Sequence, residues 1–133
     1  MWLTVTPELP VADVAAAQVW YRDVLGCRIG WISSDASYGA VYVDTHEIFL
    51  ARSDAPRPRV SYCVRVDDAD AAYAACREAG AKIVAPLETR PWAMREFALE
   101  DLDGHRLRIG QSTLGAPKLH GAGAGAGEPG ERG

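Results

Sequence analysis

The apolar positions of this chain switch between two periods. Leu9 and Val11 flank Pro10 in a short β-type run, and Val14, Ala17, Tyr21 and Val24 then recur at the spacing of one helix face. Farther along, Val64 and Val66 alternate with polar neighbours before Ala72, Ala75, Cys76 and Ala79 repeat the helical spacing. Asp13 and Asp68 precede these stretches, where a carboxylate accepts the free backbone N–H groups of a helix start. Gly26 and Gly80 follow them, suited to the left-handed residue that closes a helix. Three β-type runs come after each helix: 27–32, 38–43 and 47–52, then 82–86, 95–99 and 106–110. Residues 33–37 and 44–46 are turns, and Asp103-Gly104 is a hairpin signal.

The order β-α-β-β-β thus occurs twice. Val11 matches Val66 and Asp13 matches Asp68, each pair 55 residues apart (66 minus 11, 68 minus 13). Two copies of so long a unit predict paired modules rather than a solenoid. Module 1 covers about 1–55 and module 2 about 58–112, joined through Pro56 and Pro58, which resist helix and central strand alike. In residues 60–66 alternation puts Val60, Tyr62, Val64 and Val66 on one face, against the helix. Ser61, Cys63 and Arg65 take the other face, too polar for a dry core and suited to a cavity wall. From Gly115 onward small residues replace large apolar ones, so the segment cannot offset the entropy of ordering its backbone. The expected division is a domain over 1–114 and a disordered Gly/Ala-rich tail over 115–133.

Composition narrows the function. A net charge of −4 opposes general nucleic-acid binding. No apolar run is long enough to span a bilayer, and the N-terminus lacks the pattern of a signal peptide, so a cytoplasmic protein without a membrane partner is expected. Cys27, Cys63 and Cys76 are odd in number and lack metal-type spacing, so they read as free thiols.

One stretch is more specific: Pro91-Trp92-Ala93-Met94-Arg95-Glu96-Phe97, continuing to Asp101-Leu102-Asp103-Gly104. It resembles the Pro-Trp-Gly-x-Arg-x-Phe-x-x-x-Asp-Pro-x-Gly signature of the bleomycin-resistance branch of the vicinal oxygen chelate superfamily, which also holds glyoxalase I and extradiol dioxygenases. Ala93 stands for the usual Gly and Leu102 for the usual Pro. Pro10-Val11-x-Asp13 and Trp20-Tyr21-x-x-x-Leu25-Gly26 resemble patterns of the whole superfamily, and the likeness covers 3–111. It implies an α+β fold in which paired βαβββ modules form cup-shaped mixed sheets. It also implies a homodimer of domain-swapped type, each cup combining modules from two chains.

Metal-dependent members of that superfamily place His or Gln, Glu, His and Glu on inward strand positions. The matching positions here hold Thr6, Phe49, Ser61 and Arg108. A phenyl ring donates no lone pair and a guanidinium repels a cation, so neither metal nor other cofactor is expected, and no catalytic residue is assigned. His46 and His105 read as turn residues, and Trp20 and Tyr21 as core. Arg95 and Glu96 suit either a structural salt bridge or ligand contact. The expected ligand-binding residues are Trp31, Tyr38, Tyr42 and Phe49 of module 1 with Ser61, Cys63, Arg65, Trp92, Met94 and Arg108 of module 2. Flat rings stack on flat ligands, and guanidinium forks take carbonyl or acidic oxygens.

The resemblance therefore implies a metal-independent protein that sequesters a DNA-damaging aromatic antibiotic of bleomycin, mitomycin or enediyne type. Two inward arginines suit a cationic drug poorly, which favours a flat quinone or anthraquinone-fused enediyne. The alternative is an enzyme, either a glyoxalase-like lyase or isomerase, or a drug-modifying thiol-transferase.

Overall fold

Each module forms a four-stranded mixed sheet backed by one helix, as a computed structural model describing residues 1–115 shows. Module 1 runs β1 (Glu8–Val11), α1 (Val14–Leu25), β2 (Arg28–Ile32), β3 (Tyr38–Val43) and β4 (His46–Arg52). Module 2 runs β5 (Ser61–Arg65), α2 (Ala69–Glu78), β6 (Lys82–Arg90), β7 (Met94–Glu100) and β8 (Arg106–Ser112). The strand orders are β1-β4-β3-β2 and β5-β8-β7-β6. The first strand of each module pairs in parallel with its last, and the other pairs are antiparallel. The expected tail, Gly115 apart, lies outside the described residues.

The helix ends follow the local chemistry. Asp13 accepts the Ala16 N–H and Asp68 the Ala71 N–H, each at 3.0 Å. Gly26 and Gly80 sit at φ +71° and +81°, where a Cβ would crowd the following carbonyl. Two of the boundaries that differ from the sequence expectation have a clear physical reason. β6 continues through Pro86 to Arg90 because it is a sheet edge, where a missing N–H costs no ladder bond, and two register shifts absorb the irregularity. The turn after β3 shrinks to Asp44 and Thr45, because His46 already pairs with Val43.

The helix-facing sides of both sheets share one core. Leu9, Val11, Val41 and Leu50 of module 1 join Phe97, Leu99, Leu107 and Ile109 of module 2, all buried. The 101–105 hairpin fastens the modules together. Tyr62 donates its hydroxyl to Tyr21 (2.9 Å), and Tyr21 donates to Asp101 Oδ2 (2.6 Å). Asp101 Oδ1 accepts the N–H groups of Asp103 and His105, both at 2.9 Å. Burial, more than any neighbouring charge, pushes both tyrosine hydroxyls far above their ordinary range.

His105 is more than a turn residue. Its ring is fully buried, Nδ1 accepting the Val60 N–H (3.0 Å) and Nε2 donating to the Pro10 carbonyl (2.7 Å). Those partners set its tautomer. It spans β1, the inter-module linker and the hairpin. No helix among the described residues is long and apolar enough to cross a membrane.

Candidate ligand-binding faces

Strand alternation gives each sheet a second face, turned away from its helix. In module 1 the register places Tyr38 opposite Ala51, Ala40 opposite Phe49 and Tyr42 opposite Glu47, with Glu8 beside Phe49 across the parallel pair. Paired residues share a face, so Glu8, Tyr38, Tyr42, Glu47 and Phe49 lie together. Trp31 joins them through a register shift between Ile29 and Ile32. Strict alternation from Arg28 would have sent Trp31 to the helix side. The rings of Trp31, Tyr38 and Phe49 stand 5.3, 5.8 and 5.6 Å apart, within the range of tilted aromatic contact. Trp31 remains 40 % exposed, so its ring is open to a guest.

Two carboxylates hold the polar edges of these rings. Tyr38 donates its hydroxyl to Glu8 (2.7 Å), and Trp31 donates Nε1–H to Glu47 (3.3 Å). The Glu8 bond raises the Tyr38 hydroxyl above its ordinary range, and the neighbouring Glu47 carboxylate does the same for Tyr42. The Arg28 guanidinium covers the Tyr42 ring at 4.5 Å. Gly30 is required beneath that ring, since a Cβ there would lie 2.5 Å from Tyr42 Cε2. Sequence reasoning missed Glu8 and Arg28 as parts of this face. Their alternation with buried neighbours was a usable signal, but their ring partners lie on other strands.

Module 2 presents different chemistry at matching places. Cys63 stands opposite Arg108, Ser61 opposite Arg106 and Arg65 opposite Gly110. Arg108 donates Nη2–H to the exposed Cys63 thiol at 3.4 Å. Neither Arg65 nor Arg108 has a carboxylate partner among the described residues. Met94 and Glu96 close over Gly110, where a Cβ would meet each at 2.9 Å. Trp92 stands apart, 58 % exposed in the turn between β6 and β7. Arg95 and Glu96 do not pair with each other, because alternation sends them to opposite faces. Arg95 instead clamps Asp70 at the start of α2 with bonds of 2.8 and 3.0 Å.

Apart from Trp92 in its turn, the predicted binding residues fall on two sheet faces of the single chain. A hollow of about 860 Å³ marks the seam between the modules, bounded by residues 4–7, 43–48 and 62–65, and takes in Cys63 and Arg65. A smaller apolar hollow of about 350 Å³, between the end of α1 and α2, contains none of the predicted residues. There Ala75 and Cys76 occupy the repeat positions of Trp20 and Tyr21 (75 minus 20 and 76 minus 21 both give 55), so side-chain volume is missing. Burial pushes the nearby Cys27 thiol up to about 11, which keeps it an inert core thiol.

Comparison with known proteins bears on this architecture. The family model of the Glyoxalase/Bleomycin resistance protein/Dioxygenase superfamily matches residues 4–109. The chain belongs to that superfamily. Its fold is similar to TioX from Micromonospora sp. ML1, with a TM-score of 0.76 and 23 % identity over 84 % of this chain and 99 % of that one. It is similar to the bleomycin resistance determinant encoded on transposon Tn5, with a TM-score of 0.71 and 24 % identity over 84 % and 98 %. It is also similar to lactoylglutathione lyase from Agrobacterium tumefaciens, with a TM-score of 0.69 and 19 % identity over 84 % and 95 %. No curated protein matches the sequence.

The superfamily includes metal-dependent enzymes, so the ligand positions must be tested against the residues present. Phe49 lies in the ring cluster, Arg108 points a cation at a thiol, and Thr6 and Ser61 offer only hydroxyls. This donor set does not fit a divalent first-row ion, which needs imidazole, carboxylate or thiolate. Among the described residues no three His, Cys, Asp or Glu side chains gather elsewhere.

Proposed function

We propose that this protein binds a flat aromatic natural product reversibly, without a metal, and protects its host by sequestration. The observation that carries the reading is the ring trio of exposed Trp31 and half-buried Tyr38 and Phe49, in which the polar edges of Trp31 and Tyr38 are bonded to Glu47 and Glu8. With those edges occupied, what the wall offers a guest is π surface, each stacked ring contributing about 0.5–1.5 kcal/mol beyond area burial. Arg65 and Arg108 supply forks for carbonyl, quinone or acidic oxygens on the same guest. That pairing favours a quinone-bearing drug, such as a mitomycin or an anthraquinone-fused enediyne.

In this reading the working unit is a homodimer. The aromatic face of one chain closes on the guanidinium face of its partner, and the guest lies between them. Resistance-type relatives with small-molecule antibiotics as partners support the class of function; the drug named here is our own assignment. The test is a tryptophan-fluorescence titration of the purified protein against a panel of DNA-damaging antibiotics, with Trp31→Ala and Phe49→Ala in parallel. Saturable quenching that weakens about tenfold in each variant supports the reading. Unchanged affinity in both variants sinks the assignment of this wall.

A further inference from the structure

We propose that Gln18, a buried residue of α1, is the positioning residue of the aromatic wall, holding the bulge that turns Trp31 toward the guest. The proposal rests on the reading of that wall as the guest's platform, but its mechanism is independent of which guest binds.

A register shift interrupts β2. Between Ile29 and Ile32 the strand advances three residues while β3 advances two, from Val41 to Gly39. Such a bulge interrupts the ladder, and its backbone carbonyls need partners from elsewhere. Gln18 supplies them. Its side chain is 4 % exposed and donates both Nε2 hydrogens, one to Trp31 O at 2.9 Å and one to Ala40 O at 3.0 Å. A glutamine amide has two N–H donors, so both are used. These carbonyls belong to the ring-bearing residue and to its neighbour across the ladder.

The surroundings are shaped for this bond pair. Gly39 lies directly against it: a Cβ there would stand 2.9 Å from Trp31 O, 2.9 Å from Val14 Cγ1 and 3.1 Å from Gln18 Nε2. The glycine is therefore needed for the amide to reach. Module 2 lacks the device. The repeat partner of Gln18 is Tyr73 (73 minus 18 gives 55), an aromatic that packs on Phe97 at 5.0 Å and donates no such pair of bonds. At the other end of the same residue, Trp31 Nε1–H reaches Glu47. Trp31 is thus held at its backbone by α1 and at its ring by β4, which fixes the tilt against Tyr38 and Phe49.

The test reads Trp31 directly. In a ¹⁵N-labelled wild-type protein, the Gln18 side-chain amide should give two dispersed signals that exchange slowly with solvent. In Gln18→Met, which keeps the volume and removes both donors, the Trp31 indole signal should shift toward the free-indole position while those of Trp20 and Trp92 stay in place. Guest affinity should fall by about tenfold, as for Trp31→Ala. An unmoved Trp31 indole signal in a folded Gln18→Met protein overturns the proposal. If that variant does not fold, wild-type Gln18 amide protons that exchange like a free side chain overturn it instead. A shifted indole signal with unchanged guest affinity leaves Gln18 as the bulge's holder and refutes the wall as the guest's platform.

Discussion

The two sheets of this protein place different residues at one structural position. Phe49 stands beside Glu8 in module 1, and Arg108 stands beside Cys63 in module 2, with Glu8 and Cys63 related by the 55-residue repeat (63 minus 8). Around them Tyr38 and Tyr42 are answered by Glu96 and Glu100, and Glu47 by Arg106. The backbone is the same, and the chemistry has divided. One face offers ring surface tied down by carboxylates, and the other offers guanidinium forks without carboxylate partners at Arg65 and Arg108. A guest gripped by both must be flat and carry oxygen at one edge. The carboxylates of the first face, Glu8 and Glu47, are taken up by Tyr38 and Trp31, and among the described residues no three metal donors gather on either face, so the repeat presents two kinds of surface rather than one coordination sphere.

The largest effect should come from separating the modules. Asp101→Ala removes the acceptor of Tyr21 and of two hairpin N–H groups, so urea denaturation should show a loss on the order of 3–5 kcal/mol. A loss under about 1 kcal/mol would mean that the hairpin does not hold the two faces together. Next, exchanging the chemistry at the shared position sharpens the contrast. Phe49→Arg should weaken a flat guest by about tenfold or more with little change in unfolding midpoint, because Phe49 sits on the open face. Arg108→Met should cost affinity only for guests bearing a carbonyl or acidic edge. Equal losses for neutral hydrocarbon-like guests would erase the division of labour.

A smaller effect distinguishes the helices. The Arg95 guanidinium holds the Asp70 carboxyl below its ordinary range. Because the folded value is depressed, the associated stability is present above the unfolded value and is lost as pH falls through the folded one. Arg95→Met should flatten that acid limb in a pH series of thermal melts, and an unchanged limb would dismiss the pair as a contributor. The smallest effect concerns the turn that carries Trp92. Ala93 sits at φ +63° in the place where the resembling signature has glycine. Ala93→Gly should stabilise the protein by up to ~1 kcal/mol, visible as a modest rise in melting temperature.

Much of the scaffold was legible from local signals. Asp13, Asp68, Gly26 and Gly80 act within a few residues, so the caps declare the helices without knowledge of the fold. Alternation correctly separated Tyr62 and Val64 from Cys63 and Arg65. What was hidden depends on partners far along the chain. The side taken by Trp31 follows from a bulge that no period reveals, and the bulge depends on an amide 13 residues away on a helix. Nothing local to Gln18 marks it as the holder of that bulge. His105 looked like part of a turn because its partners, Pro10 and Val60, are brought to it only by the assembled core. Glu8 became part of the wall only when Tyr38, two strands away in the sheet, came within reach of it.

On the proposed reading the aromatic face should hold its guest unchanged and need no ion to do so. The most direct measurement takes protein stripped of metal with a chelator, saturates it with the tightest antibiotic of the panel, and recovers the drug for mass spectrometry after prolonged incubation. We expect saturable binding at the affinity of untreated protein and a recovered drug of unaltered mass. Binding that returns only when a divalent metal is restored, or a recovered compound of different mass, would contradict the account.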